Sequence, residues 1–223
     1  MNLRVLMALL LVVVHAAVYA AGKDVALITA LQGRVWKISA ESNEPSQSAQ
    51  PQVMQAYVKL TQGDQLALDK DARLQLVYLD SGRLETWRGG VRLEINSTES
   101  QAFSLPDPQV RMLSSEMVRQ ISRMPVLDAQ GQAKTTKSRS IATPDALAGI
   151  ENTYRRLRNE TPDRSDLNPE LYLLSGMFEM RELGRVEQVL SDLQRERGSE
   201  PQVKLLVSLY QRAMKNVREA KRN

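Results

Sequence analysis

The spacing of apolar residues changes once along this chain, near Pro106, and that single change limits the fold more than any other feature. Before it, apolar and polar residues alternate in short runs separated by glycine turns, as half-buried strands require. After it, apolar residues recur at steps of three and four, as helices with one buried face require. Strands gathered in one half and helices in the other imply an α+β chain, not alternating parallel units.

The first half predicts strands over 25–28, 35–38, 56–60, 65–68, 72–79, 83–88 and 91–95. In Val91-Arg92-Leu93-Glu94-Ile95 three apolar side chains fall on one face and two charges on the other. The turns are Gln32-Gly33, Gln62-Gly63-Asp64, Asp80-Ser81-Gly82 and Gly89-Gly90, and the first and last read as tight hairpins. The polar stretch 41–52 reads as a surface loop. Short strands at this spacing predict a small sandwich or roll.

Beyond Pro106, Asp107-Pro108 reads as a cap and first turn. A helix carrying Val110, Leu113, Met117, Ile121 and Met124 is expected to follow, stopped by Pro125. Residues 129–142 are polar and lysine-bearing, and read as a linker. Thr143-Pro144 opens a helix with Leu147, Ile150, Tyr154 and Leu157 on one face, and Asn168-Pro169 caps another with Leu171, Leu174 and Phe178. Gly184 separates that helix from a run over 186–193. After Gly198 and Pro201 a last helix carries Val203, Leu206, Tyr210 and Met214.

The N-terminus places Arg4 before an apolar run from Val5 to Val14, with small residues ahead of a cut after Ala20, the order of a secretory signal. Export to the periplasm is the first expectation. An uncleaved segment anchoring the chain in the inner membrane is the alternative. The chain has no cysteine and one histidine, His15, inside that leader. A cleaved product would therefore lack imidazole and thiol chemistry, so no metal or cofactor and no enzymatic activity is expected. Hydrophobic residues at 42% and charged residues at 25% supply an ordinary core and surface.

Carboxylate-only catalysis would draw on Asp64, Asp69, Asp71, Asp80 and Glu85, which fall near turns and read as turn chemistry. Arg83, Glu85, Trp87 and Arg88 form one candidate contact surface, with Trp87 either an outward anchor or, the preferred reading, a core ring. Trp36 carries the same two readings. Arg155, Arg156 and Arg158 end one helix and Arg212, Lys215, Arg218, Lys221 and Arg222 crowd the C-terminus. These complement helix dipoles or meet an anionic ligand. The basic surplus is not assigned to nucleic acid, because export argues against it.

Gly63-Asp64-Gln65-Leu66, Ala72-Arg73-Leu74-Gln75-Leu76, Asp80-Ser81-Gly82 and Val91-Arg92-Leu93-Glu94-Ile95 together resemble the FecR domain of bacterial envelope proteins. That resemblance implies a compact β module acting as a non-enzymatic adaptor. Family members that regulate sigma factors carry a cytoplasmic domain before a membrane helix. Here only Met1 to Arg4 precedes the apolar run, so that activity is not carried over. Leu183-Gly184-Arg185 through Pro201 is similar to one tetratricopeptide repeat, which implies paired helices packing on the β module or a partner.

The expected layout is a signal over 1–20, a FecR-like β domain over 21–105, an amphipathic helix over 106–128, a linker over 129–142 and a TPR-like region over 143–223. The expected function is protein interaction in the bacterial envelope, with an unidentified envelope protein as partner. The alternative is a module binding peptidoglycan or anionic lipid.

Overall fold

A computed structural model describes residues 23–38, 52–103, 107–127, 133–134 and 143–220. The leader, nearly all of the 41–52 loop, most of the 129–142 linker, and Lys221 and Arg222 lie outside the described residues. No described helix is long and apolar enough to cross a membrane.

The first half is two five-stranded antiparallel sheets. One contains β1 (Asp24–Gln32), β4 (Lys59–Thr61), β6 (Arg73–Tyr78), β7 (Arg83–Arg88) and β10 (Gln109–Met112), in the order β10-β7-β6-β1-β4. The other contains β2 (Val35–Ile38), β3 (Gln52–Val53), β5 (Gln65–Leu68), β8 (Arg92–Ile95) and β9 (Ser100–Ala102), in the order β3-β2-β5-β8-β9. Leu74, Leu76 and Trp87 from the first sheet and Leu66, Leu93 and Ile95 from the second are buried in one cluster. Each such aliphatic side chain contributes about 1.5–3 kcal/mol.

Two expected hairpins are corrected. Gly33 does take positive φ, at 74°, but β1 and β2 do not pair, because the turn carries the chain from one sheet to the other. Gly89-Gly90 likewise joins β7 to β8 across the two sheets. A glycine pair signals a backbone bend, and whether the strands it joins then pair is decided by packing. A Cβ on Gly33 would sit 2.9 Å from the Ala72 Cα, and one on Gly89 would collide with the carbonyls of Asp69 and Lys70, so both glycines admit the neighbouring β5–β6 turn. Asp80-Ser81-Gly82 does close a hairpin, between β6 and β7. The 56–60 strand begins only at Lys59, since Tyr57 is buried with φ at 66°.

The helix expected from Pro108 is also corrected. Residues Gln109–Met112 form β10 against β7, and the helix α1 is only Ser115–Ile121, capped by the Ser114 hydroxyl accepting from the Met117 N–H. Val110 fits helical spacing, but Val110 and Met112 also fit a strand, and pairing with β7 wins. Val126–Leu127 (β11) and Ala133–Lys134 (β12) form a two-stranded ribbon, so the linker reading is corrected at those two residues. Ala133 is buried, and its carbonyl accepts from Asn216 Nδ2 at 3.1 Å.

The second half is α2 (Pro144–Glu160), α3 (Asn168–Glu179), α4 (Leu183–Arg197) and α5 (Pro201–Ala220), each packed on the next. Thr143 caps α2 as expected, its hydroxyl accepting from the Ala146 N–H. Asn168 does not cap α3. It is the first helical residue, and the Asp166 carboxylate accepts from both its N–H and its Nδ2. Gly184 lies inside α4. α3 is buried on all sides, against the second-half helices and α1, and one hydrophobic cluster runs from the sandwich into the helices.

Candidate functional site

Helices and sandwich meet over the outer face of the first sheet, the face turned away from the second sheet. Strand register arranges that face in three rows. Leu27, Val77, Leu84 and Arg111 form the first, and Val118 of α1 packs on Val77 and Leu84. Ala30, Gln75, Thr86 and Gln109 form the second, and Gln32, Arg73 and Arg88 the third. Apart from Arg111 at the β10 end of the first row, the face grades from apolar to amide and hydroxyl to cationic.

A cleft of about 390 Å³ lies over the lower rows, with Arg73, Gln75, Thr86 and Gln109 in its floor. Its wall is the α2–α3 connection, including Asp163, Ser165 and Asp166, with Glu200 and Gln202 at the start of α5. Gln75 ties the parts together. Its Oε1 accepts from Thr29 Oγ1 at 3.1 Å and Asn168 Nδ2 at 3.2 Å, and its Nε2 donates to Thr86 Oγ1 at 3.5 Å. Asn168 Oδ1 is buried with no hydrogen-bond partner among the described residues. Arg111 crosses from floor to wall, its Nη2 at 2.6 Å from Asp166 Oδ2. A second recess of about 570 Å³ adjoins through Glu200 and Gln202, with Met54, Ala56 and Leu205 in its lining.

The wall is held by Arg158. Its guanidinium donates to the carbonyls of Thr161, Asp163 and Asp166 and to both carboxylate oxygens of buried Glu170. Tyr154 donates to the same carboxylate at 3.2 Å, and burial, then the Glu170 charge, pushes its phenol up to about 12. Asp163 is held below the usual carboxylate range, chiefly by hydrogen bonds from Ser165. Glu200 is lowered by its two-pronged pairing with Arg197. Sequence reasoning groups Arg158 with Arg155 and Arg156. Only its place, one turn before a Pro and Asp-rich connection, hints at its different use.

The four residues expected to form a contact surface do not share one. Trp87 is 1% exposed and Glu85 0%, both between the sheets, so Trp87 is the core ring. Glu85 Oε1 accepts from Arg83 Nε at 2.7 Å and the Ser100 N–H at 3.2 Å, and Oε2 from Trp87 Nε1 at 2.9 Å. That contact raises the Arg83 guanidinium above its ordinary value. Arg88 points the other way, onto the outer face, and is exposed. Trp36 is only half-buried, contrary to its core reading, with Nε1 at 3.4 Å from Asp69 Oδ1. The turn carboxylates lie apart: Asp64 accepts from the Thr61 N–H and hydroxyl, while Asp80 pairs with Lys23. The helix-end cations are largely answered, Arg155 by Glu151, Arg156 by Glu160, Lys215 by Glu219 and Arg218 by Glu187.

An unexpected feature is the edge strand β10. All four of its residues are exposed, and Val110 at 45% and Met112 at 61% are among the few exposed large hydrophobic residues described, with Phe103, just past β9, at 60%. Period-two alternation of Val110 and Met112 was the available signal. Comparison with family models, curated proteins and solved structures finds no match to this chain.

Proposed function

We propose that this chain is a non-catalytic adaptor of the bacterial envelope, exported by its leader, with a FecR-like sandwich and a TPR-like helical half, and that β10 receives a partner protein. The observation that carries this reading is the outer edge of β10, which no described strand pairs with. Natural sheets protect their edges with charge, brevity or a covering element. At the opposite edge of the same sheet, β4 is three residues long and holds Lys59 paired with Asp24. β10 instead turns its one charge, Arg111, toward Asp166 and leaves Val110 and Met112 in solvent. An extended segment of a partner laid along β10 would satisfy the free backbone groups and cover both side chains. Of the helix cations behind the anionic-polymer reading, Arg155, Arg156, Arg158, Lys215 and Arg218 pair with carboxylates, which favours protein binding of the two.

The test is photo-crosslinking in cells from a reactive residue placed at Val110 or Met112, with Gln211 on α5 as the control position. A discrete protein adduct from the β10 positions alone is expected, and it should disappear in a Val110→Lys, Met112→Lys double variant. That variant should keep its stability within about 1 kcal/mol, since both sites are exposed. Adducts of equal yield from Gln211, or none from β10, would refute the assignment.

A further inference from the structure

The third row of the outer face holds a separate imbalance. Arg73 on β6 and Arg88 on β7 are direct cross-strand partners, both exposed. Directly opposed side chains on antiparallel strands have Cβ atoms roughly 5 Å apart, where like charges destabilise the pair. Arg83, Arg111, Arg156, Arg185 and Arg218 each meet a carboxylate, whereas Arg34, Arg92, Arg119, Arg164 and Arg181 form no ion pair with a described residue. What sets Arg73 and Arg88 apart is that they face each other directly across two strands. Arg73 and Arg88 form no ion pair with a described residue. Asp163, on the facing wall, feels Arg73 only weakly beside its stronger hydrogen bonds from Ser165.

We propose that Arg73 and Arg88 together seat a carboxylate of an acidic, extended segment of a partner protein, whose main chain runs on over Gln75, Thr86 and Gln109 into the cleft. A guanidinium fork matches a carboxylate, and two forks closing on one anion turn mutual repulsion into binding. The neutral row begins two residues along each strand, roughly 6–7 Å away, within the reach of the next peptide units. With Gln75 Oε1 already taken by Thr29 and Asn168, the row still offers the Gln109 amide, the Thr86 hydroxyl proton and the second Nε2 hydrogen of Gln75, which together supply donors and an acceptor for a peptide backbone. A membrane surface would engage the arginines and leave that recessed row unused. No aromatic ring lines the cleft among the described residues, so the stacking platform usual for sugars is missing. The inference uses Gln109 of β10 but not that strand's outer edge, and it survives if the edge binds nothing.

The experiment is a titration of the ¹⁵N-labelled chain with a hexaglutamate peptide at low and high salt, followed by amide shifts. Inorganic phosphate and phosphatidylglycerol vesicles are the comparison probes. Saturable shifts at residues 73, 75, 86 and 88 are expected with the peptide, weakening about tenfold in Arg73→Gln and in Arg88→Gln, and unchanged in Arg195→Gln. Without peptide, Arg88→Gln should melt slightly higher than the parent, because a repulsion has gone. The peptide should raise the melting temperature of the parent but not of either variant. Binding unaffected by both substitutions, or no saturable shift at low salt, overturns the proposal. Phosphate saturating the same amides as tightly as the peptide, or tight sedimentation with vesicles that depends on the two arginines, overturns the peptide assignment in favour of a simple oxyanion or a lipid surface.

Discussion

A carboxylate removed from water needs a donor for each oxygen, and Glu85 obtains three by two routes: Arg83 and Trp87 on its own strand face, and the Ser100 N–H from the opposite sheet. Tyr78, whose hydroxyl lies 3.0 Å from Ser100 Oγ, extends the same network. Glu85 therefore acts as a clasp at the sandwich edge. Glu85→Gln removes the charge that Arg83 and the indole N–H face, with only the more distant Glu99 left to answer Arg83. A loss of about 2–4 kcal/mol is expected, because the buried Trp87 indole N–H and the half-buried Arg83 lose their charged acceptor. Urea unfolding followed by tryptophan emission measures it. A loss under about 0.5 kcal/mol would show that the clasp holds nothing.

At the scale of elements, the α2–α3 connection illustrates how one side chain fixes a segment that has no regular structure. Arg158 meets three of its carbonyls and the buried Glu170, so the wall of the cleft is set before any ligand arrives. Arg158→Ala is expected to cost about 3–5 kcal/mol, leaving Glu170 buried with Tyr154 as its neighbour. Hydrogen exchange across 161–167 should rise more than in α5. Arg158→Lys should restore little, since an ammonium cannot span those acceptors at once. Uniform exchange across both segments would mean that Arg158 serves global stability alone. Elements of this kind also mark what the sequence made legible. The amphipathic faces of α2, α4 and α5 and the hairpin at Asp80-Ser81-Gly82 were readable, because each follows from a local period or turn residue. β10 was not, since Val110 satisfies two periods and only the unpaired edge of β7 decides between them. The Gly89-Gly90 crossing was hidden for a related reason: a glycine's bend is local, but the sheet it leads to is chosen by packing at a distance. The cleft was illegible as a whole. Gln75, Thr86 and Arg158 are ordinary residues in sequence and become a site only through register and a long-range helix contact.

For the whole molecule, the question is whether sandwich and helices are separate units. Tyr57 is buried in the sandwich half and donates to the Gln202 carbonyl of α5 at 3.3 Å, while Gln202 Nε2 returns a bond to the Leu31 carbonyl at 3.4 Å. With a shared hydrophobic cluster beneath these contacts, the two halves should unfold together. The tyrosines report on both. Tyr57 and Tyr78 lie in the first half and Tyr154, Tyr172 and Tyr210 in the second, and burial is the leading cause that raises every one of them. A phenol whose folded pKa exceeds its unfolded value of 10.0 stabilises the fold fully below that pH. For Tyr154 the contribution is lost as pH rises from there through about 12. Tyrosinate absorbance should therefore stay low just above pH 10 and then appear in one step, coincident with the shift in tryptophan emission from the sandwich and the loss of helical ellipticity. Two separated steps, with ellipticity lost while Trp87 remains in its core, would divide the protein into independent domains. The cleft between them would then be a mobile junction, and Arg73 and Arg88 would face a wall that is not always present.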